Sequence, residues 1–187
     1  MAAARLTDLQ EIEAAIWAEL ARAMVSKGHA WRVGVLATRD GDGADARSVV
    51  LREVDAGPRT LLLYTDARSP KAAQIQAHPA GTLVLGSKEL GWQLRLRVAL
   101  GLPTEGLAVM SRWARLKLTP SAQDYLSPLP PGSTLEQADG QAQPANENRE
   151  HFAVVTAVVQ SIDWLELDAR GHRRAVFEAG TARWVTP

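Results

Sequence analysis

Arg47, Arg52, Arg59, Arg68 and Lys71 fall within twenty-five positions of a chain whose formal net charge is zero. Cations this dense can pair with their acidic neighbours, here Glu53, Asp55 and Asp66, and stay solvated, or they can converge on an anion. Ser69 followed by Pro70 marks a helix start, and its free N–H groups and dipole attract negative charge. Arg68 and Lys71 flank that start, and the fork of an arginine binds phosphate oxygens in pairs. Arg47 and Arg52 bracket one apolar run. Five residues apart in a regular strand they point to opposite faces, so they share one anion only if a bulge or bend lies between them.

Other chemistries find less support. His29, His78, His151 and His172 are scattered, and none pairs with a second ligand at helical or strand spacing, so no metal site is expected. With no cysteine in the chain there is no thiol nucleophile, disulfide framework or thiolate metal site. Neither a G-x-S-x-G elbow nor a P-loop occurs. Lys plus Arg and Asp plus Glu both total 21, which leaves no long-range field for nucleic acid or an anionic membrane. The N-terminus lacks a basic start before an apolar core, and no run approaches the roughly 20 apolar residues of a membrane span. A cytoplasmic protein that binds neither nucleic acid nor membrane is expected.

The elements that must position the cations follow from hydrophobic period. Leu9, Ile12, Ile16, Leu20, Ala23 and Met24 recur at helical spacing, which predicts a helix over about 7–26 with Thr7 or Asp8 as its cap. Residues 31–38, 47–54 and 60–65 read as strands separated by turn-rich DGDGAD and DAGPR, an antiparallel meander. A short helix opens at Ser69, and strands follow at 81–86 and 92–100. In the second of these Gln93, Arg95 and Arg97 alternate with Leu94, Leu96 and Val98, one polar face and one apolar. A helix over 104–118, a helical turn near 121–126, a polar surface loop over about 128–150, a long strand and a closing hairpin complete the chain. Seven or eight antiparallel strands without a βαβ rhythm predict a mainly β fold, a small β-barrel with peripheral helices, built as a single domain over 1–187.

Four of these stretches in order, RSVVLR, LLLYTDARSPKAAQI, WQLRLRVAL and the C-terminal IDWLEL with HRRAVF, resemble the pyridoxamine 5'-phosphate oxidase-like family of FMN-binding split barrels, and most of all its uncharacterised pyridoxamine-oxidase-related branch. The similarity runs from about Trp31 to the C-terminus. It implies a Greek-key-like split barrel, FMN as cofactor, and a homodimer with FMN at the subunit interface. Carried over position by position, it implies that Arg47, Val49, Leu51 and Arg52 line the flavin mononucleotide, with Tyr64 and Thr65 closing the next strand. The phosphate-binding Ser-Arg-Lys of the family becomes Ser69-Pro70-Lys71, with Arg68 a substitute for the missing arginine. Gln93 is implied as a hydrogen-bonding partner of the flavin or its ribityl chain. Trp164 and Arg174 are implied as cover for the flavin of a neighbouring subunit.

At the C-terminus the chain departs from the R-x-H-D-R-F run of members that oxidise pyridoxamine phosphate. Aligned on Phe177 it reads His172-Arg173-Arg174-Ala175-Val176-Phe177, with the Arg-x-His order inverted and Val176 where the flavin arginine stands. The resemblance therefore implies a flavin-dependent oxidoreductase acting on an unidentified small molecule rather than a vitamin B6 oxidase. The alternative is a non-catalytic flavin-binding or redox-sensing module. No catalytic acid, base or nucleophile is assigned.

Overall fold

The computed structural model describes residues 5–134 and 150–187. Asp8 caps α1 (Leu9–Val25) by accepting the N–H groups of Gln10 and Glu11 at 2.8 and 3.0 Å. Ile12, Ile16, Leu20 and Ala23 form its buried stripe, at the spacing a helix face requires. The strand expected from Trp31 begins two residues later. His29 Nδ1 accepts the Trp31 N–H at 3.1 Å, and Arg32 donates to the Ala23 and Met24 carbonyls at 3.2 and 2.9 Å, which winds Ala30–Arg32 into a 3-10 turn and carries the Trp31 ring into the core.

Strands β1 (Val33–Asp40), β2 (Gly43–Asp55) and β3 (Thr60–Asp66) form the expected meander. Helix α2 (Pro70–Ala77) then returns the chain to β4 (Ala80–Ser87), which pairs with β1, so three hairpin-linked strands and a fourth beside the first make a Greek key. β5 (Trp92–Gly101), α3 (Leu107–Leu116), a 3-10 segment at Pro120–Tyr125, β6 (Phe152–Glu166), β7 (Arg173–Glu178) and β8 (Thr181–Val185) complete the order. All pairings are antiparallel. The strands lie β3-β2-β1-β4-β5-β6-β7-β8, and an additional β3–β6 pairing closes the first six into a barrel. β6 achieves this by its length: Phe152 to Val158 pair with β3, Ser161 to Glu166 pair with β7, and its opposite edge runs along β5. Of the polar stretch 128–150, residues 135–149 lie outside the described residues.

Leu36, Leu51, Leu63, Leu83, Leu96 and Ile162 point inward from six different strands and pack with the α1 stripe into the main core. Each buried side chain of this size contributes about 1.5–3 kcal/mol of transfer free energy. A second cluster sits outside the barrel, where Val109, Trp113 and Leu116 of α3 cover Phe152 and Val154 of β6. α3 starts at Leu107, later than the pattern suggested, because Gly106 takes φ +96°, a left-handed conformation open to glycine that turns the chain into the helix.

Candidate functional site

β3 ends at Thr65-Asp66, a tight turn follows, and α2 begins with Ser69 as N-cap and Pro70 in its first turn. The Ser69 hydroxyl makes no cap hydrogen bond. It lies 3.1 Å from Thr65 Oγ1, and Lys71 Nζ donates to that same Thr65 oxygen at 2.9 Å. Both hydroxyl residues are buried. Arg47 reaches this end of the barrel from β2. Its Nη1 donates to the Leu36 carbonyl at 3.1 Å and to Thr38 Oγ1 at 2.6 Å, and its Nη2 donates to Gln74 Oε1 of α2 at 2.7 Å and pairs with Asp45. Burial and then the Arg47 charge hold the Lys71 ammonium below its usual value. Among the described residues no carboxylate lies within ion-pair distance of Lys71. A crowded ammonium, a guanidinium, two hydroxyls and a helix N-terminus form a donor set for an anion.

Sequence reasoning missed Thr38, Asp45 and Gln74, which hold Arg47 in place. Asp45 sits two positions from Arg47 and therefore on its face of β2, a signal the sequence offers. Thr38 and Gln74 become visible only through strand register and helix docking.

Arg52 goes elsewhere. Leu51 pairs with Leu63 and Glu53 with Leu62, so Arg52 is the extra residue of a β-bulge. It points outward, on the face opposite Arg47, with its guanidinium 5.5 Å from the centre of the Tyr64 ring and its charge near the Tyr125 phenol. The Tyr64 phenol donates to Glu53 Oε1 at 3.1 Å, and burial together with the Glu53 charge pushes its pKa up to about 12. Arg112 of α3 grips the same carboxylate through Nε and Nη2 at 2.9 and 2.7 Å. This pair borders a cavity of about 420 Å³ whose other walls include Leu62, Pro103, Val109 and Val154.

Three expectations need correction on geometry. Val49 and Leu51 fill the barrel interior, so any ligand contact there falls to their backbone. Arg68 does not present its donors at the helix start: Nε and Nη2 bind the Asp66 carboxylate at 3.1 and 2.7 Å, and the remaining bonds go to the carbonyls of Ser127, Pro128 and Leu129. Trp164 is 0% exposed and lies inside the core, edge-on to Trp92 at 5.4 Å, with Arg173 over its ring, so it offers no free face to a flavin.

Gln93 and Arg174 stand on the outer face of the barrel. Arg47 shares a cross-strand row with Leu36, Leu83 and Leu96. Gln93 lies three residues from Leu96 along β5, roughly 10 Å away and on the opposite face. Arg174 binds Asp163 through Nε and Nη2 at 2.9 and 2.7 Å, and Arg95 pairs with the same carboxylate. Arg174 shares a face with Val176, two positions on, so it lies on the side of the strand where the family pattern expects its arginine. Arg95, Asp163, Arg174 and Val176 border a cavity of about 450 Å³ that Arg97 and Arg183 also line. Within one chain the two sets face different sides of the barrel.

No protein-family profile matches the chain. Among curated proteins it is 28% identical over 163 residues to the pyridoxine/pyridoxamine 5'-phosphate oxidase of Caulobacter vibrioides, covering 81% of this chain and 72% of that protein. A second protein of the same name, from Granulibacter bethesdensis, is 27% identical over 164 residues, with 80% and 76% covered. Among solved structures it resembles a pyridoxamine 5'-phosphate oxidase-related, FMN binding protein of Nostoc punctiforme, with TM-score 0.73, 22% identity, and 93% of this chain and 96% of that one covered. PhzG of Burkholderia lata superposes with TM-score 0.76 at 17% identity, over 99% and 98% of the two chains. The chain thus has the split-barrel fold of these structures, and over most of its length it is similar in sequence to curated pyridoxine/pyridoxamine 5'-phosphate oxidases.

Proposed function

We propose that the chain binds FMN as a homodimer and acts as a flavin-dependent oxidoreductase on a small molecule. The observation that carries the reading is Lys71, a half-buried ammonium that feels the Arg47 charge and, among the described residues, has the Thr65 hydroxyl as its one hydrogen-bond partner. A phosphate dianion at the start of α2 relieves that crowding, so the donor set fits the phosphate end of FMN. Lys71, Ser69 and Thr65 hold it, and Arg47 adds charge from β2. When bound, FMN supplies electron or hydride acceptance from substrate and passes the electrons to a second acceptor.

The outer barrel face supports the dimer. Val33, Val35 and Val50 are 51%, 41% and 36% exposed, Val33 pairs with Val50, and Val35 pairs with Val84, which makes a patch of aliphatic side chains on a sheet face that water-exposed strands normally keep polar. A second copy laid on this face brings its own Gln93 and Arg174 toward the first copy's site, which reconciles the two sets that one chain keeps apart.

The C-terminal departure supports a substrate other than pyridoxamine phosphate. Arg173 is held by both oxygens of Glu166 at 2.8 and 3.0 Å and donates to the Leu6 carbonyl, and His172 Nδ1 accepts the Asp168 N–H at 3.3 Å. Both side chains are engaged in the chain's own structure. The test is titration of purified protein with FMN, followed by visible absorbance and flavin fluorescence quenching, then reduction of the bound flavin against amine, nicotinamide and quinone panels. Saturable 1:1 binding with turnover is expected. A colourless protein that takes up no FMN overturns the cofactor reading, and tight binding without turnover on any panel favours the non-catalytic module.

A further inference from the structure

Arg68 and Asp66 form a unit that the binding set does not use. The Asp66 side chain is 3% exposed and sits between Thr65 and Ser69, both of which belong to the anion site. Its Oδ1 accepts the Arg68 N–H at 2.7 Å and Nε at 3.1 Å, and its Oδ2 accepts Nη2 at 2.7 Å. The same guanidinium reaches across to Ser127 O at 2.8 Å, Pro128 O at 3.1 Å and Leu129 O at 3.4 Å. The Asp66 carbonyl in turn accepts the Ser69 N–H at 3.1 Å, which fixes the turn that aims α2.

A buried carboxylate beside an anion site repels the anion. With an effective dielectric of about 20, a unit charge within about 10 Å of a dianion opposes binding by more than tenfold in affinity unless a cation cancels it. Arg68 is that cation, and its planar fork is the group that can hold a carboxylate with one edge and reach three carbonyls with the rest.

We infer that Arg68 is a positioning residue that sets the affinity of the site for a dianion without touching it: it cancels the charge of Asp66 and fastens Ser127–Leu129 to the start of α2. This rests on the reading that an anion is held there by Lys71, Ser69 and Thr65, and it removes Arg68 from the group that contacts the phosphate.

The experiment compares wild type, Arg68→Met, Asp66→Asn and the double variant, each titrated with FMN and with riboflavin, which lacks the phosphate, and each scanned for thermal stabilisation by inorganic phosphate. Arg68→Met loses more than about tenfold in FMN affinity and keeps its riboflavin affinity. Asp66→Asn binds FMN as tightly as wild type or tighter, because the repelling charge is gone. The double variant returns to within about threefold of wild type, and because it leaves no unpaired buried charge it tests the idea even where Arg68→Met fails to fold. A double variant as weak as Arg68→Met, weaker FMN binding by Asp66→Asn, or equal losses for FMN and riboflavin overturn the inference and make Arg68 a phosphate ligand or a purely structural residue. Wild type that ignores FMN but is stabilised by phosphate, with the same ranking of variants, overturns the FMN reading and keeps this one. Wild type that responds to neither overturns both.

Discussion

The start of α2 and the outer face of β5–β7 contain the same kinds of residue with their cations differently partnered. On the outer face Arg95 and Arg174 converge on Asp163, so each of these guanidiniums has an ionic partner within the chain. At α2 the Lys71 ammonium has a hydroxyl for a partner and a guanidinium for a neighbour, and only Arg47, at the edge of the set, is paired with a carboxylate. Cation density alone does not define an anion site. What sets the start of α2 apart is a half-buried ammonium that has no carboxylate within ion-pair distance among the described residues.

The largest expected effect tests Trp164, which the resemblance associated with the outer set and the structure assigns to the core. Trp164→Ala opens a cavity among Trp92, Arg173 and the barrel leucines and costs about 3–5 kcal/mol of stability, a large share of what a domain this size possesses. Urea denaturation of the flavin-free protein measures it, and a loss confined to flavin affinity, with stability intact, would return Trp164 to the cofactor. Next in size is Lys71→Ala. Deleting one charge-assisted hydrogen bond to the phosphate lowers FMN affinity by about 1.5–3 kcal/mol, roughly ten- to a hundredfold, while riboflavin binding stays near that of wild type. Arg174→Ala is the contrasting variant. Its ion pair with Asp163 is solvated and contributes little to stability, so denaturation curves of the monomeric, flavin-free protein barely move. If Arg174 from a second copy meets the flavin, its loss shows instead in FMN affinity and in the concentration dependence of the dimer, measured by analytical ultracentrifugation.

Most of the fold was legible because local signals agreed with one another: Asp8 at a cap, alternation along β5, and Ser69-Pro70 at a helix start each carry a backbone conformation in the residue type itself. The 3-10 turn at Trp31 was hidden because it depends on Arg32 reaching the last carbonyls of α1, a tertiary bond in a stretch whose residue types favour a strand. The site was legible only in part. Lys71, Ser69 and Thr65 come together because the turn after β3 brings them there, and neighbours in sequence are neighbours in space. Arg68 shows why the rest was not: its position suggested a ligand for phosphate, but its partners at Ser127–Leu129 are about sixty residues away, and nothing local announces them. Arg47 and Arg52 lie on different faces, as regular alternation over five residues requires, because the bulge falls at Arg52 itself and not between the two.

The pH dependence of stability separates the two regions again, with effects smaller than those of the substitutions. Burial opposes ionisation of Asp163, but hydrogen bonds from Arg174 and Arg95 outweigh it and leave the carboxyl below its ordinary value of 3.8. A carboxyl whose folded pKa is depressed stabilises the fold at neutral pH, and that stabilisation is lost as pH falls below 3.8 through the folded value; Asp163→Asn flattens this acid limb. Lys71 works in the other direction. Burial and Arg47 lower its pKa, so the folded chain holds the proton less firmly than the unfolded chain, in which lysine titrates near 10.5. The flavin-free protein is therefore destabilised by the ammonium at neutral pH and gains stability as pH rises through the interval below 10.5, a gain that Lys71→Met abolishes. FMN affinity runs against it: as the ammonium loses its proton the phosphate loses a partner, and binding weakens over the same interval while Arg47, charged throughout, sustains the remainder. Thermal melts with and without FMN across that alkaline range measure both slopes at once. Parallel slopes would show that Lys71 does not face the bound anion, and opposite slopes are what a half-buried ammonium that meets the phosphate requires.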